Sequence, residues 1–104
     1  MYFWLCLPLI LFNREVQAET VKPKVYTVEI KEMKFLPTVI QVKKGDTIVW
    51  INRDMVPHNV TEEKQKAWAS PLLPVGKSWK MVVQASGAYF CSLHPVMKGR
   101  IQVQ

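Results

Sequence analysis

A single-domain all-β sandwich is the fold class this chain predicts, and three observations carry the prediction. Short runs of alternating apolar and polar residues recur along its length. Turn residues such as Lys44-Gly45-Asp46 and Ala85-Ser86-Gly87 separate them at short intervals. No long amphipathic helix, internal repeat or low-complexity tract interrupts the pattern. At 104 residues there is room for one domain and no more.

The first eighteen residues stand apart. Residues 1–12, MYFWLCLPLILF, are almost wholly apolar, and polarity then rises to Val16-Gln17-Ala18. An apolar core of about 7–15 residues ahead of small residues at −3 and −1 describes a secretory signal peptide. Cleavage is expected after Ala18, leaving residues 19–104 as the exported domain. The run is too short to be a spanning helix, which needs roughly 20 apolar residues, so no stable membrane insertion is expected.

Within the domain, Lys24 to Lys31 reads KVYTVEIK, a strand with Tyr26, Val28 and Ile30 on its inner face. Pro37 limits Met33–Pro37 to a strand end or bend. Thr38–Lys43 is a second strand. Thr47–Asn52 is a third, with apolar residues on both faces (Ile48 and Trp50, Val49 and Ile51), as in a strand covered on both sides. Residues 62–76 lack alternation and form a long connection, with room for a helical turn at Glu62–Lys66. Ser78–Gln84 follows, carrying Trp79, Met81 and Val83 on alternate positions. Ala88–Cys91 and Arg100–Val103 close the set. Tyr89, Trp50 and Trp79 belong in the core, the Tyr89 hydroxyl tied to backbone. Trp68 is placed as a lid over one sandwich edge.

The chemistry is concentrated in Cys91-Ser92-Leu93-His94-Pro95-Val96-Met97, a thiolate, an imidazole and a thioether within seven residues. Two histidines and one cysteine with a weak axial methionine form the ligand signature of an electron-transferring copper site. The chain has two histidines, so the second ligand is His58. Of the two cysteines, Cys6 leaves with the leader, and Cys91 remains as a lone thiol in a compartment that would otherwise oxidise it. A buried free cysteine behaving as a small hydrophobe is the plain alternative. Zinc also accepts cysteine and histidine, but it has little reason to recruit a thioether.

Composition excludes other classes. The chain carries 14 basic and 8 acidic side chains. Losing Arg14 and Glu15 with the leader leaves 13 against 7, still net +6, which suits an acidic partner or surface. The lysines are scattered and no nucleic-acid motif is present, so nucleic acid is not expected. A metal chaperone would display clustered methionines, whereas these are dispersed. A copper enzyme would need ligands beyond those already used, so no catalytic residues are assigned.

Taken together, MKFLPTVIQVKKGDTIVWINRD, PHNV, SPLLPVGKSW and GAYFCSLHPVM resemble the plastocyanin/amicyanin branch of the blue copper proteins, or cupredoxins, across residues 24–104. The Cys-x2-His-x2-Met spacing is most similar to that of amicyanin. The resemblance implies a Greek-key β-sandwich and one type 1 copper ion held by His58, Cys91, His94 and Met97. It implies a monomer that shuttles single electrons between transient periplasmic partners, with an amine dehydrogenase as donor and a c-type cytochrome as acceptor. It further implies that Asn59 ties its loop to Ser92, with the Asn59 backbone N–H aimed at the Cys91 sulfur. Leu93 stands where many relatives have proline and returns a second N–H to the sulfur's vicinity. Electrons would exit at the exposed edge of His94, ringed by Met55, Val56, Pro57, Pro95 and Val96 in loops. Arg53, Lys98 and Arg100 would form a basic rim.

Overall fold

The computed structural model describes Pro8 and residues 22–104, so the proposed leader lies outside the described residues apart from Pro8. Eight strands follow: β1 (Val25–Lys31), β2 (Lys34–Leu36), β3 (Val39–Val42), β4 (Thr47–Asn52), β5 (Thr61–Glu62), β6 (Ser78–Val82), β7 (Gly87–Cys91) and β8 (His94–Val103). They form two four-stranded sheets, ordered β2-β1-β4-β6 and β3-β8-β7-β5. The chain passes from one sheet to the other at every connection from β2 to β7, and stays within one sheet only between β1 and β2 and between β7 and β8. These crossings make the Greek-key sandwich. β1 runs parallel to β4, and β3 parallel to β8.

Alternation places one face of each strand inward. Val28 and Ile30 of β1 pack with Ile48 and Trp50 of β4, opposite Tyr89 and Cys91 of β7 and Met97 and Ile101 of β8. An aromatic group fills the space between the sheets. The Trp50 ring lies 5.5 Å from Tyr89, 5.6 Å from Trp79 and 5.9 Å from Trp68, and Phe35 meets Tyr89 edge-on at 4.8 Å. Trp68, half-buried in the connection before β6, packs against this core cluster.

Four local expectations change. The second face of β4 is only half-buried, because Thr47, Val49 and Ile51 have no layer over them. No helical turn forms at Glu62–Lys66. Glu62 pairs with Tyr89 across β5–β7, and its carboxylate accepts the N–H of Gln65 (2.7 Å) and Ala67 (3.4 Å). The closing strand starts at His94 rather than Arg100, so Pro95 and Val96 lie on β8 and not in a loop. Finally, the Tyr89 hydroxyl has no hydrogen-bond partner among the described residues, where a backbone tie was expected. Burial pushes its pKa up to about 12, with the nearby Trp50 N–H pulling the other way. That N–H also falls short of hydrogen-bond geometry.

At the end remote from Cys91, Asp46 accepts the N–H groups of Lys24 (2.9 Å) and Lys43 (2.8 Å). These bonds, the Lys24 one first, hold its pKa below the ordinary 3.8. A carboxylate whose folded pKa is depressed contributes stability above its unfolded value, and loses it as pH falls through the folded one. Asp46→Asn should therefore flatten the loss of stability of the metal-free protein as the pH falls below about 4. Thermal unfolding across that range tests this, and an unchanged slope would refute it.

Candidate metal centre

Three donors converge where the two sheets meet. β7 ends at Cys91 and β8 begins at His94, and these two residues face each other across a tight hairpin. A register shift between Phe90 and Cys91 re-aims the thiol at that point. His58 arrives from the connection after β4, held by a pair of backbone bonds with Leu73 (3.1 and 2.7 Å). His58 and Cys91 are fully buried and His94 is half-buried. The Cys91 Sγ lies 3.7 Å from His58 Nδ1 and 3.8 Å from His94 Nδ1. All three ligand atoms fall within 4.8 Å of one another. For metal–nitrogen and metal–sulfur bonds of about 2.0 and 2.3 Å, the two sulfur–nitrogen spans each subtend roughly 120°, as in a trigonal site. The donor set thus fits one copper ion. Met97 is on β8, three residues beyond His94, and almost fully buried.

A profile of copper-binding proteins of the plastocyanin/azurin family matches residues 23–104. The chain belongs to that family. This cupredoxin is similar to the amicyanin of Paracoccus versutus, 29% identical over 98 residues that cover 88% of this chain and 74% of that protein. It is 32% identical to the amicyanin of Paracoccus denitrificans over 83 residues, covering 74% of this chain and 63% of that one. Among solved structures it matches the Cu(I) form of a methionine-to-alanine amicyanin mutant with a TM-score of 0.72 at 29% identity, over 77% of this chain and 82% of that one. A copper-containing nitrite reductase from Thermus scotoductus also aligns, with a TM-score of 0.72 at 25% identity, over 86% of this chain but 24% of the enzyme. Membership of this copper-binding family, together with the His58, Cys91 and His94 cluster, supports electron transfer as this chain's general role.

The surrounding hydrogen bonds follow the expected pattern at Asn59. Its side chain donates to Ser92 Oγ (2.5 Å) and accepts the Ser92 N–H (2.8 Å), while its own N–H approaches Cys91 Sγ at 3.5 Å. The Leu93 N–H makes no such bond among the described residues, so the sulfur receives one backbone N–H rather than two.

Two residues that sequence reasoning missed shape the site. Asn52, fully buried, donates to the carbonyls of Val56 (2.9 Å) and Leu73 (2.8 Å) and accepts the Asp54 N–H (2.9 Å), which folds the 53–57 loop. Asp54 accepts the His58 Nε2–H at 2.8 Å. Burial pushes the Asp54 carboxyl up, but hydrogen bonds from the Met33 N–H, the His58 ring and the Glu32 N–H outweigh it and leave the pKa below the ordinary 3.8. An acidic side chain four residues ahead of a histidine was the available clue.

Among the described residues Met55 and Val96 are the most exposed large apolar side chains, each at 89%, and Leu93 and Val56 are exposed as well. The basic rim contracts. Arg53 lies 3.9 Å from Glu29 and Lys98 lies 3.4 Å from Glu63, both as solvent-exposed pairs. Arg100 pairs with Ala88, three residues along β7 from the Cys91 that pairs with His94, and so stands about 10 Å along the ladder from the site.

Proposed function

We propose that this cupredoxin holds one copper ion through His58, Cys91, His94 and Met97 and carries single electrons between partners in the periplasm. The observation that carries the reading is the convergence of His58, Cys91 and His94 with mutual separations suited to a trigonal ion. Copper supplies the one-electron Cu(I)/Cu(II) couple. The chain's own part is to hold the donors still and keep them dry. Cys91 and His94 sit on hydrogen-bonded strands, and the Asn59–Ser92 bonds fasten the His58 segment to the hairpin turn. A site so constrained reorganises little on electron transfer.

Half-exposed His94 is the electron port, and the exposed apolar residues at this end suit brief docking. Residues 1–18 serve as the signal peptide, removed after Ala18. The amicyanin-like ligand spacing supports an amine dehydrogenase as donor and a c-type cytochrome as acceptor.

The test is the visible absorption spectrum of the protein loaded with Cu(II). An intense blue thiolate-to-copper band, bleached on reduction and absent in Cys91→Ser, is the expected result. A colourless protein that still binds zinc or Cu(I) tightly would overturn the reading.

A further inference from the structure

We propose that Asp54 is a positioning residue that locks His58 in its metal-ready orientation and makes that lock depend on the β1–β2 turn. The inference rests on the assignment of His58 as a ligand and extends it to the element that orients the ring.

β1 and β2 are joined by a two-residue loop, Glu32-Met33, between the paired residues Lys31 and Lys34. Both loop residues have positive φ, 53° and 60°. A two-residue hairpin loop of this kind favours Asn-Gly, because Cβ atoms crowd the backbone in the left-handed region. Glu and Met are therefore poor choices for the turn taken alone, and something must hold it. That group is the Asp54 carboxylate, which accepts the Glu32 N–H at Oδ1 (2.6 Å) and the Met33 N–H at Oδ2 (2.9 Å).

The same Oδ2 accepts from His58 Nε2 at 2.8 Å. An ionised carboxylate only accepts hydrogen bonds, so Nε2 is the donor, and the neutral tautomer that fits this bond has its lone pair on Nδ1. The bare nitrogen is the one facing Cys91 Sγ. With the opposite tautomer, the Nδ1 proton would occupy the space a metal ion needs. Asp54 is in turn held by its own N–H to Asn52 Oδ1. A single carboxylate thus joins a strained surface turn, a buried asparagine and a ligand ring. Partners of this kind affect metal affinity about as strongly as the ligands they orient.

A purely structural role, holding the turn and nothing more, is separable by experiment. Glu32→Asn with Met33→Gly gives the turn residues that adopt positive φ unaided, so the hairpin no longer relies on Asp54. In that background Asp54→Ala should leave the melting temperature close to its parent's. The metal-free protein is then observed by nitrogen NMR of the imidazole rings, and Co(II) affinity is measured alongside. The parent should show a slowly exchanging His58 Nε2–H and an unprotonated Nδ1. Asp54→Ala should lose the slow exchange, raise the Nδ1-protonated fraction and weaken Co(II) binding about 10–100-fold. An unchanged Nε2–H signal with unchanged affinity would overturn the proposal and leave Asp54 as a turn anchor. The ring signals are read without metal. A chain that shows the expected NMR change but no blue band with Cu(II) would therefore fail the copper reading, not the positioning role.

Discussion

Gly99→Ala is expected to cost this cupredoxin about 3 kcal/mol of stability, the upper end for overpacking a well-filled core. Gly99 on β8 faces Tyr89 on β7, and a Cβ there would overlap the Cζ, Oη and Cε2 atoms of that ring. Flexible side chains escape such clashes by turning away. Tyr89 cannot, because it is fully buried, with Phe35 edge-on at 4.8 Å and Trp50 edge-on at 5.5 Å. The strain must go into the β7–β8 ladder, the one that brings Cys91 opposite His94. For a domain of this size the expected drop in melting temperature is roughly 12–24 °C. Adding Tyr89→Phe should recover part of it, since one overlapping atom disappears. That hydroxyl has no partner to lose, so Tyr89→Phe alone should change stability by less than about 1 kcal/mol. A Gly99→Ala loss below about 1 kcal/mol would mean the ring can shift after all.

Asn59→Ala is expected to cost about 2 kcal/mol, because it strands polar groups rather than merely deleting contacts. The Ser92 N–H loses its acceptor and the Ser92 hydroxyl its donor. Both bonds join segments 33 residues apart, so nothing local replaces them. Ser92→Ala removes only the hydroxyl acceptor and should cost about half as much. Because the Asn59 backbone N–H still reaches toward Cys91 Sγ, the blue band should survive both substitutions while unfolding occurs at lower denaturant concentration. Equal, negligible losses for the two variants would show that the 2.5 and 2.8 Å bonds do not hold the His58 segment to the hairpin.

Several features were legible because their physics is local. Alternation exposes β1 and β4 directly, since a strand's two faces follow from a period of two. The Cys91, His94 and Met97 set is visible because the three donors lie within seven residues. His58 follows by count, as one of only two histidines. The Asn59–Ser92 tie came through the family resemblance.

Other features left no local trace. β5 is two residues long and exists through its pairing with β7, so no periodicity announces it. Pro95 and Val96 read as loop residues, yet the β7–β8 hairpin carries them into a strand. Asp54 looked like an ordinary loop acid until the β1–β2 turn, 21 residues upstream, came to rest against it.

Residue order thus established an all-β chain and a donor set suited to copper, because periodicity, spacing and residue chemistry are properties of neighbours along the backbone. Which histidine nitrogen faces the thiol, which carboxylate holds that ring, and which charges stand near the port were settled by packing alone. Those depend on ångström distances between atoms brought together by strand register, and no short stretch of sequence contains them.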